Sequence, residues 1–207
     1  MKSCCDDKAE ELAGLRKAQS KVLWKVLAIN AAMFFVEMTA GILGRSTALL
    51  GDSLDMLGDA LVYGFSLFAI DRGVRWKARA AILKGMIMLA FGFGVLMEAV
   101  IKAFSSIVPS GETMGAIGLL ALLANLVSLF LLLPHRHDDI NMRSTWICSR
   151  NDIIANCGVL LAAAAVTYLE SSWPDIAVGS MIAAIFLISA IGVLKDSIRH
   201  STTSISI

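Results

Sequence analysis

Three acidic residues lie in an otherwise apolar stretch of the chain. The stretch from 46 to 65 is STALLGDSLDMLGDALVYGF, which is apolar enough to enter a membrane. Its aspartates, Asp52, Asp55 and Asp59, are spaced i, i+3 and i+7, so a helix would place them along one face. A charged side chain at membrane depth costs about 2.5–3.5 kcal/mol on insertion scales, and such residues usually bind or relay an ion. The pattern therefore predicts an ion site inside a membrane domain.

A second apolar stretch carries residues that could complete this site. Cys148, Asp152 and Asn156 recur at i, i+4 and i+8 and would share a helical face. Asp55 and Asp59 from one helix, with Cys148 and Asp152 from the other, would supply four oxygen and sulfur ligands. Four such ligands suit a tetrahedral divalent ion, with Zn²⁺ as the default. A thiolate also favours softer ions such as Zn²⁺ or Cd²⁺ over Mg²⁺ or Ca²⁺.

The charge of the four candidate ligands indicates how such a site would work. Three carboxylates and a thiolate outweigh the charge of a divalent ion, so we expect the empty site to take up protons. Metal binding would then release those protons. Metal and protons would compete for the same ligands, which is the physical basis of exchange.

Several of these assignments have alternatives. Asp55 and Asp59 could form a structural polar pair, and Cys148 could be a small packing residue, as buried cysteines often are. Asn156 could bond neighbouring helices or support the ligands, or it could pair with Asp152 as a ligand in another register. Asp52, nearer the outer end, could be a supporting or alternative ligand or a solvated residue of a vestibule.

Four further residues could serve the same transport pathway. Glu37 and Glu98 are candidate proton-relay residues, although Glu98 could instead form an ion pair with Lys102 at i, i+4. His135 and His137, in the segment HRHDD, could capture metal at an inner entrance, with a solvated polar loop as the alternative.

The composition is that of a membrane protein. Of 207 residues, 57% are hydrophobic and 17% are charged, whereas soluble domains carry about 25% charged residues. No nucleic-acid motif or strong basic patch is present, so we expect a lipid bilayer and no nucleic acid as partner. Membrane spans need about 20 apolar residues. Six runs qualify: 22–43, 46–70, 79–105, 112–133, 144–169 and 174–194.

Basic residues predict the orientation of these spans. Fourteen Lys and Arg residues fall on one side of a six-span arrangement, and Arg45 alone falls in the opposite loops. This bias places both termini in the cytoplasm. The sequence thus predicts an all-α polytopic protein with six transmembrane helices, in which the domain 21–196 is flanked by a polar arm, 1–20, and a short tail, 197–207.

The residues of the first two predicted helices resemble the cation diffusion facilitator family of metal–proton antiporters. Asn30 and Glu37, followed by the segment 46–59, are similar to this family's helices one and two. In the family, an acid or histidine paired with an aspartate four residues later supplies half of the transport site, and Asp55-Met-Leu-Gly-Asp59 matches that pair.

The resemblance extends from about residue 20 to residue 196 and includes Arg79 and Glu98. The segment Asn141-Met-Arg143 with Cys148-Ser-Arg-Asn-Asp152 is similar to the start of helix five. Cys148 departs from the family pattern because a histidine usually stands there. The family usually ends in a cytoplasmic domain that binds metal and dimerises, whereas only DSIRHSTTSISI follows the sixth span, so the resemblance is to the transmembrane domain only.

The resemblance implies a secondary transporter of the cell membrane. It would export a divalent transition metal, Zn²⁺ or a similar ion such as Cd²⁺, Fe²⁺ or Co²⁺, from the cytoplasm in exchange for protons, through a tetrahedral site between helices two and five. We expect no enzymatic activity and no permanently bound cofactor, and we expect a homodimer. The alternative is a membrane metal sensor or accessory subunit that binds metal without transporting it.

Overall fold

A computed structural model describes residues 4–69, 74–105, 107–136 and 140–203. These residues form six long helices and no strand, which confirms the all-α class. The helices are α1 (Cys4–Gly44), α2 (Thr47–Ala69), α3 (Val74–Ala103), α4 (Gly111–Leu132), α5 (Ile140–Leu169) and α6 (Trp173–Thr203). A short 3-10 turn, Leu133–His135, follows α4.

Local sequence signals account for several helix ends. Ser110 caps α4, because its hydroxyl accepts a hydrogen bond from the Thr113 amide at 3.2 Å. Arg45 has a positive φ of 51° directly after α1, and the Ser46 amide then donates to the Gly41 carbonyl at 2.9 Å. Pro174 lies in the first turn of α6, where a missing N–H costs nothing.

Five stretches of the described chain are long and apolar enough to cross a membrane. They are Ser20–Gly44, Gly85–Ala103, Gly111–His135, Ser149–Leu169 and Trp173–Gly192. Phe35, Leu43, Ile101 and Tyr168 are among many large apolar side chains exposed on these helices. An exposed surface of this kind suits contact with lipid.

The helix outside this set is α2, which carries the three aspartates of the candidate site. Its 23 residues would extend about 35 Å, which exceeds the ~30 Å of a bilayer core. It lies at the centre of the fold, in contact with α1, α3, α5 and α6. Elsewhere in the fold, α1 packs on α4, α4 on α5, and α3 on α6.

Helices α1 and α2 pack antiparallel in a regular register. Three facing pairs define it: Val26 with Tyr63, Asn30 with Asp59, and Met33 with Met56. Each pair is about one turn from the next, and the residue number rises on α1 as it falls on α2. Apolar and polar layers therefore alternate along the α1–α2 interface.

Helices α2 and α6 approach each other most closely at Gly179. A Cβ atom added there would lie 2.4 Å from both the carbonyl carbon and the carbonyl oxygen of Thr47. Such contacts with backbone are relieved only by a shift of the helices. Glycine is therefore required at this position for α6 to pack against the start of α2.

We expect Gly179→Ala to destabilise the protein by about 1–3 kcal/mol, because overpacking forces the two helices apart. Gly192→Ala on the same helix is the matched control, since a Cβ atom there meets nothing within 4 Å. Denaturant unfolding of the purified variants in detergent measures the difference. Equal unfolding free energies for the two variants would contradict the close approach.

Candidate metal site

A cavity of about 530 Å³ lies between α2, α3, α5 and α6. Three of the four predicted ligands, Asp55, Asp59 and Asp152, line it. The other lining residues are Gly58, Met88, Asn151, Ile154, Ala155, Gly158, Val178, Met181, Ile182, Ile185, Phe186 and Ser189. The three carboxyl groups thus share an otherwise largely apolar chamber.

Asp59 is oriented by hydrogen bonds from two helices. Its Oδ2 atom accepts from the Tyr63 hydroxyl at 2.6 Å, one turn along α2, and from Asn30 Nδ2 of α1 at 3.4 Å. Tyr63 and Asn30 are themselves buried. These donors fix the carboxyl group and support its negative charge without neutralising it.

Three negative charges act on Asp152. They are those of Asp59, Asp55 and Asp52, in decreasing order of strength. Like charges in a site of low dielectric repel strongly, so a bound cation would relieve this repulsion. Among the described residues, however, no three His, Cys, Asp or Glu side chains are grouped closely enough to hold one ion together.

Asp52 lies in a buried hydrogen-bonded chain and does not line the cavity. Its Oδ2 atom accepts from Asn156 Nδ2 at 2.7 Å, and Asn156 Oδ1 accepts from Asn125 Nδ2 at 2.9 Å. With 1% of its surface exposed, Asp52 is not a solvated vestibule residue, and this alternative was wrong. These hydrogen bonds join α2, α5 and α4, so Asn156 bonds neighbouring helices.

The two candidate relay residues have different surroundings. Glu37 is fully buried, and neither of its carboxyl oxygens has a hydrogen-bond partner among the described residues. Glu98 is half-buried and accepts a hydrogen bond from the Thr47 hydroxyl at 2.7 Å.

The predicted histidine and cysteine positions are only partly described. His135 ends the 3-10 turn after α4 and is half-buried. His137 and the Cys148 side chain lie outside the described residues. Metal binding by Cys148 and by the two histidines stays a prediction, as it does for Asp55, Asp59 and Asp152.

A buried ion pair that the sequence analysis did not find lies at the start of α2. Lys102 Nζ bonds Asp175 Oδ2 at 2.6 Å, so the alternative of an ion pair between Lys102 and Glu98 is not what forms. Asp175 also accepts hydrogen bonds from the Ser46 hydroxyl at 2.6 Å and from the Thr47 and Ala48 amides at 2.8 and 3.0 Å. The carboxylate thus caps α2 from α6, where the helix dipole favours a negative charge.

Lys102 completes this network by donating to the Arg45 carbonyl as well as to Asp175. We call the group formed by Ser46, Thr47, Lys102 and Asp175 the α2 anchor. It joins the first residues of α2 to α3 and α6 with every charge paired. The helix that carries the three aspartates is thereby held firmly at one end.

Comparison with known proteins places these features in a family. A family model described as "Cation efflux transmembrane domain" matches residues 23–200. The chain is 28% identical over 195 residues to a cadmium, cobalt and zinc/H⁺–K⁺ antiporter of Bacillus velezensis, covering 84% of this chain and 62% of that protein. It is 26% identical over 186 residues to the zinc transporter ZitB of Escherichia coli, covering 83% and 59%.

A transporter from another kind of organism matches a shorter part of the chain. The vacuolar zinc transporter ZRC1 of Saccharomyces cerevisiae is 29% identical over 134 residues, covering 58% of this chain and 30% of that protein. The chain spans about three fifths of the length of the bacterial relatives described above. Its apolar helices show a multi-pass membrane protein, and the match over residues 23–200 shows that the chain belongs to the cation efflux family.

Proposed function

We propose that this protein exports a divalent transition-metal cation from the cytoplasm in exchange for protons. The observation that carries the proposal is the cavity lined by Asp55, Asp59 and Asp152 within a bundle of membrane helices. The named activities of the relatives, which move zinc, cadmium and cobalt, indicate the class of ion. Zn²⁺ or a similar ion is the proposed substrate and no other cofactor is needed.

The proposed ligands are Asp55 and Asp59 from α2 with Cys148 and Asp152 from α5. In the conformation described, no three His, Cys, Asp or Glu side chains among the described residues are grouped to hold one ion. Metal binding would therefore draw α5 toward α2, where a cation replaces the mutual repulsion of the carboxylates by attraction. Such a movement converts binding into a change of helix packing, as alternating access requires.

Proton exchange follows from the charge of the same residues. The proposed ligand set carries more negative charge than a divalent ion neutralises, so protons occupy part of it when the ion is absent. A higher proton concentration on the outer side would then displace the metal there. Metal that enters from the cytoplasm would displace the protons, which would leave into the cytoplasm.

The proposed topology has six transmembrane helices, including α2, with both termini in the cytoplasm. Support comes from the charge bias of the loops and from the length of α2. The transport domain would comprise residues 21–196, between the polar arm 1–20 and the tail 197–207. We place the protein in the cell membrane as a homodimer, since small residues on its helices allow close helix contact.

The proposed thiolate ligand should set the choice of metal. Cys148→Ser is expected to lower the preference for Cd²⁺ over Zn²⁺, because a hydroxyl is a harder ligand than a thiolate. Competition uptake of the two ions by proteoliposomes measures this preference. An unaltered ratio of Cd²⁺ to Zn²⁺ uptake would indicate that Cys148 is a packing residue. Cys157→Ser is the matched control for loss of a thiol.

The function is tested by metal uptake into proteoliposomes across a panel of divalent ions, with and without a pH gradient. Uptake that depends on an opposing proton gradient supports exchange. Stoichiometric metal binding without uptake would instead indicate a membrane metal sensor or accessory subunit. Measurement of pH inside the vesicles at the same time shows whether protons move against the metal.

A further inference from the structure

Glu37 is a buried carboxyl group that the proposed metal site does not use. None of its surface is exposed, and both carboxyl oxygens lack a hydrogen-bond partner among the described residues. An ionised carboxylate without a partner is strongly unfavourable in a low dielectric. Glu37 therefore needs a bound positive charge at this position.

The register of α1 against α2 places Glu37 opposite Asp52. The facing pairs Asn30 with Asp59 and Met33 with Met56 advance by about one turn on each helix. One further turn in the same direction brings Glu37 of α1 and Asp52 of α2 to the same level. In agreement, Asp52 contributes the strongest of the charges that act on Glu37.

We propose that Glu37 and Asp52 form a second cation site, which holds one proton shared between the two carboxyl groups. The inference rests on the proposed transport function and deepens it, because it assigns a further exchanged proton, beyond those on the metal ligands, to two other residues. Two carboxyl groups that face each other in a buried site cannot both ionise without a cation between them.

The surroundings favour a proton over a metal ion. Two carboxyl groups supply fewer ligands than the four that a divalent transition metal takes up in proteins. Asp52 already accepts a hydrogen bond from Asn156 at 2.7 Å, which leaves the pair with one neutral donor for two acids. Neither Glu37 nor Asp52 lines the cavity of the candidate metal site, and a shared proton requires no such space.

No positive charge among the described residues acts on Glu37. The charged groups that face it are Asp52 and Asp55 of α2 and Asp152 of α5. Helix α4, which also packs on α1, carries one charged residue, Glu112, and that residue is exposed. The polar residues that α4 buries, Asn125 and Ser128, are neutral.

The pair is connected to the metal site by two short routes. Asp52 lies one turn from Asp55 on α2, and through Asn156 it reaches α5 one turn from Asp152. A metal ion bound at Asp55 and Asp152 would cancel the negative charges that hold the proton on the pair. Metal binding and proton release would therefore be coupled across two separate sites.

The substitution Glu37→Gln separates proton coupling from metal handling. In proteoliposomes we expect uptake of Zn²⁺ driven by a pH gradient to fall at least ~10-fold, within the range of site-to-site couplings. Exchange of Zn²⁺ for Zn²⁺ at equal pH should stay within about 2-fold of wild type, because that reaction needs no net proton movement. Glu112→Gln is the matched control and should leave both reactions unchanged.

Asp52→Asn provides an independent test of whether the two carboxyl groups share one proton. We expect the same loss of pH-driven uptake as in Glu37→Gln, and no further loss in the double variant, because each change removes the same proton. Losses that multiply in the double variant would contradict a shared proton. The proposal would be overturned if Glu37→Gln took up Zn²⁺ at the wild-type rate under a pH gradient. It would also be overturned if this variant lost the exchange of Zn²⁺ for Zn²⁺ together with the pH-driven uptake.

Failure of the transport proposal can be distinguished from failure of the shared proton. If wild-type protein transports no metal, the transport proposal falls, and infrared spectroscopy of the protein in detergent still decides the second site. The carbonyl band of protonated carboxyl groups should be weaker in Glu37→Gln than in wild type and unchanged in Glu112→Gln. An unchanged band in Glu37→Gln would overturn the shared proton whatever the transport result.

Discussion

Asp59→Ala is expected to abolish metal-driven proton flux in proteoliposomes. Asp59 lines the cavity with Asp55 and Asp152, and Tyr63 and Asn30 fix its orientation. Removal of groups that merely support a ligand lowers metal affinity about 10–100-fold, so loss of a ligand should reduce transport by at least ~100-fold. Flux is measured with a pH-sensitive dye inside the vesicles as Zn²⁺ is added outside.

A second cavity residue provides the control for Asp59. Ser189 lines the same cavity, and its hydroxyl donates to the Ile185 carbonyl at 3.1 Å within α6. Ser189→Ala should therefore leave the flux close to that of wild type. Undiminished flux in both Asp59→Ala and Asp152→Ala would rule out the proposed ligand set.

Lys102→Met is expected to cost about 3–5 kcal/mol of stability, because it removes one partner of a buried ion pair and leaves the charge of Asp175 unbalanced. Both side chains are almost fully buried. Lys195→Met is the matched control, since Lys195 is an exposed lysine at the other end of α6. Denaturant unfolding in detergent provides the comparison.

The α2 anchor has a further consequence in a double variant. In Lys102→Met with Asp175→Asn, neither charge remains, and the amide oxygen of the new side chain can still accept from the Ser46 hydroxyl and the Ala48 amide, which both bond Asp175 Oδ1. We therefore expect the double variant to be more stable than Lys102→Met alone. Additive losses would show that the ion pair contributes little at the start of α2.

Much of the fold could be predicted because its signals are local. Apolar runs of span length gave the helices, and Ser110 and Pro174 mark helix starts near those runs. The spacing of Asp55 and Asp59 predicted a shared face for them, and both line one cavity. Such features depend only on residues within a few turns of one another.

Contacts between distant helices were predicted less well. Lys102 has an acid one turn away at Glu98, yet it pairs with Asp175, which is 73 residues distant in sequence. Asp52 has the helical spacing of a cavity residue, yet it is buried against Asn156 of α5 instead. In both cases helix packing decides which of several polar partners is close, and periodicity along one helix does not contain that information.

The atoms that surround the transported ion distinguish the proposed site from other sites most directly. X-ray absorption spectroscopy of the zinc-loaded protein in detergent measures those atoms. We predict three oxygen neighbours at about 2.0–2.2 Å and one sulfur at about 2.3 Å, from Asp55, Asp59, Asp152 and Cys148. A shell of nitrogen ligands, or of six oxygens without sulfur, would contradict the proposed site.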